Sequence, residues 1–335
     1  MSKYSQPAVY AGLAAALVSL FLLALVHGAV RIPLHDVLQI LLGSYDGREA
    51  WRHIVLESRL PQAVTALLAG GALATSGLML QTLFKNPLAG PSILGISDGA
   101  NLGVAIAMIW LGAASYLTTI LAALIGASVV LVLILWFSRK VKSNVMLLII
   151  GIMVGYLASS VISILNYHAS ADKVHQYVMW GMGDFSGVSL GKLPWMAGFT
   201  LAGLFGALLL VKPLNALLLG DAYAANLGIN VRRTRVLILI CTGVLTAVVT
   251  AFCGPVSFIG LAVPHIARML LGSADHRHLL PVTLLAGSCT ALLCGILTVW
   301  PGSNSVLPLS AVTPLIGVPV ILYVIINRRK LHYFN

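Results

Sequence analysis

Carboxylates are scarce in this chain. Of its 335 residues nine are Asp or Glu, and only 9% are charged at all, against about 25% in a soluble domain. All but Asp98 (Asp36, Asp46, Glu49, Glu57, Asp172, Asp184, Asp221 and Asp275) fall between apolar runs, and Asp98 sits about one turn into a helix, near its positive N-terminal end. Proton- and sodium-coupled carriers generally place ionisable groups at membrane depth, so this distribution argues against one. A Gly-x-x-x-x-Gly-Lys-[Ser/Thr] loop is missing too, which leaves no P-loop for ATP. The four cysteines (Cys241, Cys253, Cys289 and Cys294) lie in or beside apolar runs. Nothing in their spacing marks a disulfide or a zinc site, and they read as small packing residues. No catalytic, cofactor-binding or metal-binding set is expected in this chain. After the first apolar run no small-residue cleavage site follows, so residues 8–28 read as a retained span.

What is abundant is apolar. The chain is 59% hydrophobic, with a mean hydropathy of +0.99. A span needs about 20 apolar residues, and the pattern places ten: near 8–28, 61–83, 93–112, 116–137, 145–166, 194–211, 236–252, 257–271, 280–299 and 311–327. The expected fold is therefore an all-α polytopic membrane protein, one transmembrane domain over 1–335. A formal charge of +11 would suit nucleic acid, but the basic residues sit in short loops beside spans, where they set topology. Arg31, Arg48, Arg52, Arg59, Lys173 and Lys192 fall on one side and the other fourteen of the 20 lysines and arginines on the opposite side. That asymmetry puts both termini in the cytoplasm.

Residues 59–103 organise the rest. The first half is crowded with small residues (Ala69, Gly70, Gly71, Ala72, Ala74, Ser76, Gly77), a pattern that lets membrane helices approach closely. Lys85-Asn86-Pro87 must end that helix. A second helix can start near Pro91 or Ser92, with Gly99 and Gly103 at small-xxx-small spacing. Outside, residues 29–58 hold an apolar core too short to span, and the aromatics of 167–193 read as an interfacial belt. His168 and His175 have no acidic or cysteine partner and make a weak metal site. Inside, residues 212–235 are the most polar segment, broken at Gly220 and Gly228. The pattern fits either an ordinary amphipathic loop helix or a docking helix for another chain. Gly254-Pro255 separates two short runs, a feature of transport pathways. His265 reads as a packing or backbone-bonding residue, and Asp275-His276-Arg277-His278 as a solvated turn. Prolines 301, 308, 314 and 319 restrict the last outer turn and the final span.

Six stretches then carry a resemblance: RLP at 59–61, GGALATSGLMLQ at 70–81, NPLAGPSILGISDGA at 86–100, LLLGDAYAANLGI at 217–229, GPVSFIGLAVPHIAR at 254–268 and DHRHLLP at 275–281. In order and together they resemble the permease subunits of type II ABC importers, the family that takes up iron–siderophores, haem and vitamin B12. The resemblance implies a ten-helix subunit of the bacterial cytoplasmic (inner) membrane that pairs with a second permease copy, a homodimer or close heterodimer. Two ABC ATPase subunits would bind inside, carrying the ATP and magnesium, and a periplasmic or lipoprotein substrate-binding protein outside. It implies coupling helices over about 213–230, with Leu219, Gly220, Asp221, Ala224, Ala225, Leu227 and Gly228 facing the ATPase. Asn86, Leu88, Ser143 and Asn144 would form the cytoplasmic gate, and Arg59 would pair with a glutamate of the binding protein. The family often carries a second arginine where this chain has Gln62. It also often has an Asp and an Arg in the ninth helix and an acid in the last outer turn, where CGILTVWPGSNSVLPLS has none. Arg48 or Arg52 would then have to supplement Arg59. The family's commonest cargo makes an iron chelate, siderophore or haem, the first expectation, with vitamin B12 as the alternative. A stand-alone carrier or channel and a passive scaffold compete as classes; only the importer predicts a stoichiometric ATPase partner.

Overall fold

The computed structural model describes residues 5–112, 115–141, 143–299 and 306–326. Expectations for Lys142, for the last outer turn near Pro301 and for the basic C-terminus fall outside these residues. The chain runs through α1 (Gln6–Val26), α2 (Leu34–Leu42), α3 (Glu49–His53), α4 (Leu60–Phe84), α5 (Ile96–Ala105), α6 (Tyr116–Lys140), α7 (Asn144–His168) and α8 (Ala171–Gly181). It continues through α9 (Leu193–Leu209), α10 (Val211–Leu218), α11 (Asp221–Asn226), α12 (Val231–Cys253), α13 (Ile259–Leu271), α14 (His276–Thr298) and α15 (Leu309–Ile326). Six helical runs are long and apolar enough to cross a membrane, or seven if α9 and α10, bent by 52°, count as one; Ile96–Trp110, Ile259–Leu271 and Leu309–Val324 are shorter apolar helices.

The bundle is built around α4, buried along nearly all its length from Ala69 to Phe84. Small residues make this possible. A Cβ on Gly70 would lie 2.2 Å from the Gly287 carbonyl oxygen of α14, and one on Gly77 would lie 1.7 Å from that of Gly260 in α13. Backbones this close gain dispersion contacts that no larger side chain would allow. Gly99 and Gly103 do the same for α5 against α6, where Cβ atoms would meet the Gly126 and Ala122 carbonyl oxygens at 2.6 and 2.1 Å.

Outer faces are apolar instead of polar. On α6, Leu117, Leu121, Ile125, Val129, Val132 and Trp136 stand exposed, which in water would be a liability and in lipid is a solvated face.

Helix ends follow local chemistry. Ser143 caps α7 by accepting from Met146 N (3.4 Å), Asn230 caps α12 from Arg233 N (2.9 Å), and Asp275 caps α14 from Arg277 N (2.9 Å). The helix containing α4 starts earlier than the pattern 61–83 suggests: α3 continues through a π-helical turn, Ile54–Arg59, directly into α4. The π turn bonds Leu60 N to the Val55 carbonyl just before Pro61, an irregularity that apolar periodicity alone does not reveal. At the far end of α4, Lys85 takes the left-handed conformation (φ 47°) and closes the helix. Phe258 (φ 66°), where α13 begins after Gly254-Pro255, is the other non-glycine residue with positive φ among those described. Such backbone costs roughly 1–3 kcal/mol, and both positions lie at helix ends.

Candidate functional site

The C-terminal turn of α4 and the turn after it, residues 81–88, are tied to four other helices. Gln81 accepts from Arg268 Nη1 of α13 at 2.6 Å and donates to the Leu261 carbonyl oxygen at 3.1 Å. Thr82 Oγ1 meets His276 Nε2 of α14 at 2.8 Å. The Leu83 carbonyl accepts from Asn144 Nδ2 of α7 at 2.8 Å. Lys85 Nζ pairs with Asp221 Oδ1 of α11 at 3.1 Å. Asn86 folds its side chain back to accept from Leu88 N at 2.9 Å, and His265 Nε2–H of α13 donates to the Pro87 carbonyl at 2.7 Å. Since Pro87 O can only accept, that nitrogen carries the proton, and the 3.5 Å approach of Gln81 Nε2 to it is a contact of two donors, not a bond.

α10 joins through Asn215. Its Oδ1 accepts from His276 N and His276 Nδ1, each at 2.8 Å, and its Nδ2 donates to Asp275 Oδ1 at 2.6 Å. Asp275 stands at the mouth of this network. The Arg277 amide, foremost, and the Asn215 side chain hold its carboxyl below the ordinary carboxylate range, against a smaller opposing effect of burial. The run 275–278 is thus not the solvated turn expected of it: Asp275 is a helix cap and His276 is fully buried.

The segment expected to couple folds as two short helices, α10 and α11, joined at Gly220, whose φ of +116° is open only to glycine. Ala224 is buried, whereas Leu219, Tyr223 and Leu227 are 65, 50 and 58% exposed. Leu219 lies just before the Gly220 joint and Tyr223 and Leu227 after it, on the segment that carries the Lys85–Asp221 pair. Asn86 and Asn144 both bond at the α4 terminus, Leu88 projects outward, and Ser143 is the cap of α7. The expected gate and coupling residues therefore share one end of the bundle.

Arg59 is placed differently from the rim position expected. It is 6% exposed. Nη1 donates to the Leu25 and Val26 carbonyls at 2.8 and 2.9 Å, and Nη2 donates to the Val30 carbonyl. A buried cation is costly unless fully bonded, and the free carbonyls at the C-terminus of α1 meet that need. These bonds use three of the five N–H donors of the guanidinium. Arg48 and Arg52, by contrast, are exposed, with the Arg48 guanidinium 5.2 Å from the Trp51 ring centre.

Cavities lie along the α4 wall. One of about 180 Å³ is bordered by Gln62, Met179, Met182, Asp184 and Thr298. Another of about 150 Å³ lies between the non-helical segments before α5 and α13, against Pro91, Ser92, Ser97, Ser257 and Phe258. The walls of these two are largely apolar with hydroxyl and amide groups, apart from Asp184, which accepts from Ser186 N at 2.8 Å.

Buried helices meeting through glycine, non-helical breaks and a polar junction at one end define a membrane permease. The FecCD transport family model matches residues 16–327, and the chain belongs to that family. It is 36% identical over 276 residues to the vitamin B12 import system permease BtuC of Klebsiella pneumoniae subsp. pneumoniae, covering 82% of this chain and 83% of that one. Against BtuC of Salmonella paratyphi A it is 35% identical over 281 residues, covering 82% and 84%. A solved inward-facing ABC transporter assigned to the metal-chelate type superposes with a TM-score of 0.85 at 30% identity, over 96% of this chain and 99% of that one. The chain is a type II ABC importer permease.

Sequence reasoning missed Lys85, Gln81, Thr82, Asn215, Tyr223, Arg268 and His276. A signal existed only for Tyr223, an aromatic four residues from two of the expected coupling leucines.

Proposed function

We propose that this subunit passes vitamin B12 across the cytoplasmic membrane, both termini inside, driven by ATP hydrolysed on a separate ATPase. The observation that carries the cargo is the similarity to two cobalamin permeases at 35–36% identity over most of both chains. An iron chelate is the second reading, favoured by the metal-chelate transporter of like fold. The importer class implies ATPase and binding-protein partners. We assign two ATPases to the α10–α11 segments of two permease copies, because exposed Leu219, Tyr223 and Leu227 offer the apolar anchors that a docking segment needs.

Walls with few charges bind cargo weakly, so selectivity belongs to the outer binding protein, which docks near Arg48 and Arg52. ATP binding draws the ATPases together, moves α10 and α11, and opens the passage at Asn86, Leu88, Ser143 and Asn144. The drive is a difference in ligand affinity between conformations. The test is ATP-dependent accumulation of radiolabelled cobalamin by proteoliposomes holding the permease with its own ATPase and binding protein. Accumulation that excess ferric siderophore leaves unchanged is the expected result; accumulation of the siderophore in place of cobalamin overturns the cargo.

A further inference from the structure

The polar junction has a direction. Asn215 Nδ2 donates to the Asp275 carboxylate, so Oδ1 faces His276 and can only accept. His276 Nδ1 must then carry the proton. In the neutral ring Nε2 is left as acceptor, and the Thr82 hydroxyl 2.8 Å away supplies the hydrogen. That hydroxyl has a second acceptor in range, the Leu78 carbonyl at 3.0 Å, but only the histidine lacks another donor. One chain results: Thr82 donates to His276, His276 to Asn215, Asn215 to Asp275. Each bond polarises the next, and the last ends on a charge.

We propose that Thr82, His276 and Asn215 are positioning residues that transmit displacement of α10 to the end of α4 and so to the turn at 85–88. The inference rests on the reading that α10–α11 meets the ATPase and that this turn gates the passage. Thr82 and His276 are fully buried, where leucine or phenylalanine would pack without needing a partner. A bonded polar chain there fixes relative position, since sliding α10 past α14 strands donors and acceptors in an apolar bundle. An apolar contact would tolerate such a slide. Lys85–Asp221 adds a tie from α11 to the same turn. The Pro87–His265 bond anchors its far side to α13, so movement of the α4 end swings residues 85–88 about a fixed point.

The experiment compares Thr82→Val, which keeps shape and loses the hydroxyl, with Thr82→Ser, which keeps the hydroxyl, in the reconstituted complex. Cargo taken up per ATP hydrolysed should fall about five- to tenfold in Thr82→Val, the cost of one stranded buried bond, and return in Thr82→Ser. A thiol at Leu88→Cys, outside the apolar core, reports the turn: ATP should change its labelling rate in Thr82→Ser but not in Thr82→Val. Should Thr82→Val fail to assemble, Asn215→Ala on the partly exposed face of α10 must show the same loss. An unchanged ratio in an assembled variant overturns the relay. Leu219→Asp with Leu227→Asp tests the parent reading separately. If the ATPase still co-purifies, the docking surface is wrong; if it dissociates while Thr82→Val transports normally, only the relay is wrong.

Discussion

Arg59 shows how a single side chain can change meaning once its surroundings are known. In the sequence it is an outer-loop charge, but in the fold its guanidinium closes the carbonyl end of α1. Removing the guanidinium leaves main-chain acceptors unpaired, at about 1–3 kcal/mol for each that stays buried, so Arg59→Ala should lower the thermal midpoint of the purified permease. Arg48→Glu with Arg52→Glu should leave that midpoint unchanged and weaken capture of the loaded binding protein, most at low salt, where exposed charges are least screened. Equal midpoints for Arg59→Ala and wild type would return Arg59 to the rim. Asp275 gives a pH test. Its carboxyl is held below its unfolded value, so its contribution is present above the unfolded carboxylate pKa, about 3.9, and is lost as pH falls through the folded value. Wild type should exceed Asp275→Asn in thermal midpoint at pH 7, and the gap should close towards pH 3. A gap constant across that range would mean the charge is irrelevant to the cap.

At the scale of elements, much was legible because membrane helices announce themselves. Apolar length marked the long helices, six or seven of which can span against the ten expected, Asn86-Pro87 and Gly254-Pro255 marked the breaks, and Gly220 marked the joint between α10 and α11. The glycine stripe of α4 was legible as a packing face, and it yields a prediction. Gly77→Ala puts a methyl 1.7 Å from the Gly260 carbonyl oxygen, whereas Gly12 on α1 has nothing within 4 Å of its added carbon. Gly77→Ala should therefore lose about 1–3 kcal/mol or more through overpacking, seen as a lower midpoint and reduced yield of folded protein, with Gly12→Ala silent. Matching midpoints would show that α4 and α13 are further apart than described. What the sequence hid were the ties between elements. Asn215 and His276 lie 61 positions apart and Gln81 and Arg268 lie 187 apart, and neither pair has a local pattern. His276 looked solvated because three polar neighbours surround it in sequence, yet it begins a helix that packs against α4. The burial of Arg59 was hidden because its partners within the chain are main-chain carbonyls, which leave no mark on residue type.

For the molecule as a whole, the physics of charge and of position point the same way. Few carboxylates lie at membrane depth, no P-loop is present, and a buried hydrogen-bonded junction of Gln81, Thr82, Arg268 and His276 lies at the end where α10 and α11 sit. A bundle of this kind can shift between arrangements but has no internal source of work, so the energy must arrive through that end from another chain. The most direct measurement is cobalamin accumulation in sealed vesicles that contain the permease alone, or the permease with its ATPase and binding protein, each with and without ATP. Uptake against a gradient should appear only in the complete complex with ATP. Concentration of cargo by the permease alone, driven by a proton or sodium gradient, would contradict the assignment at its root.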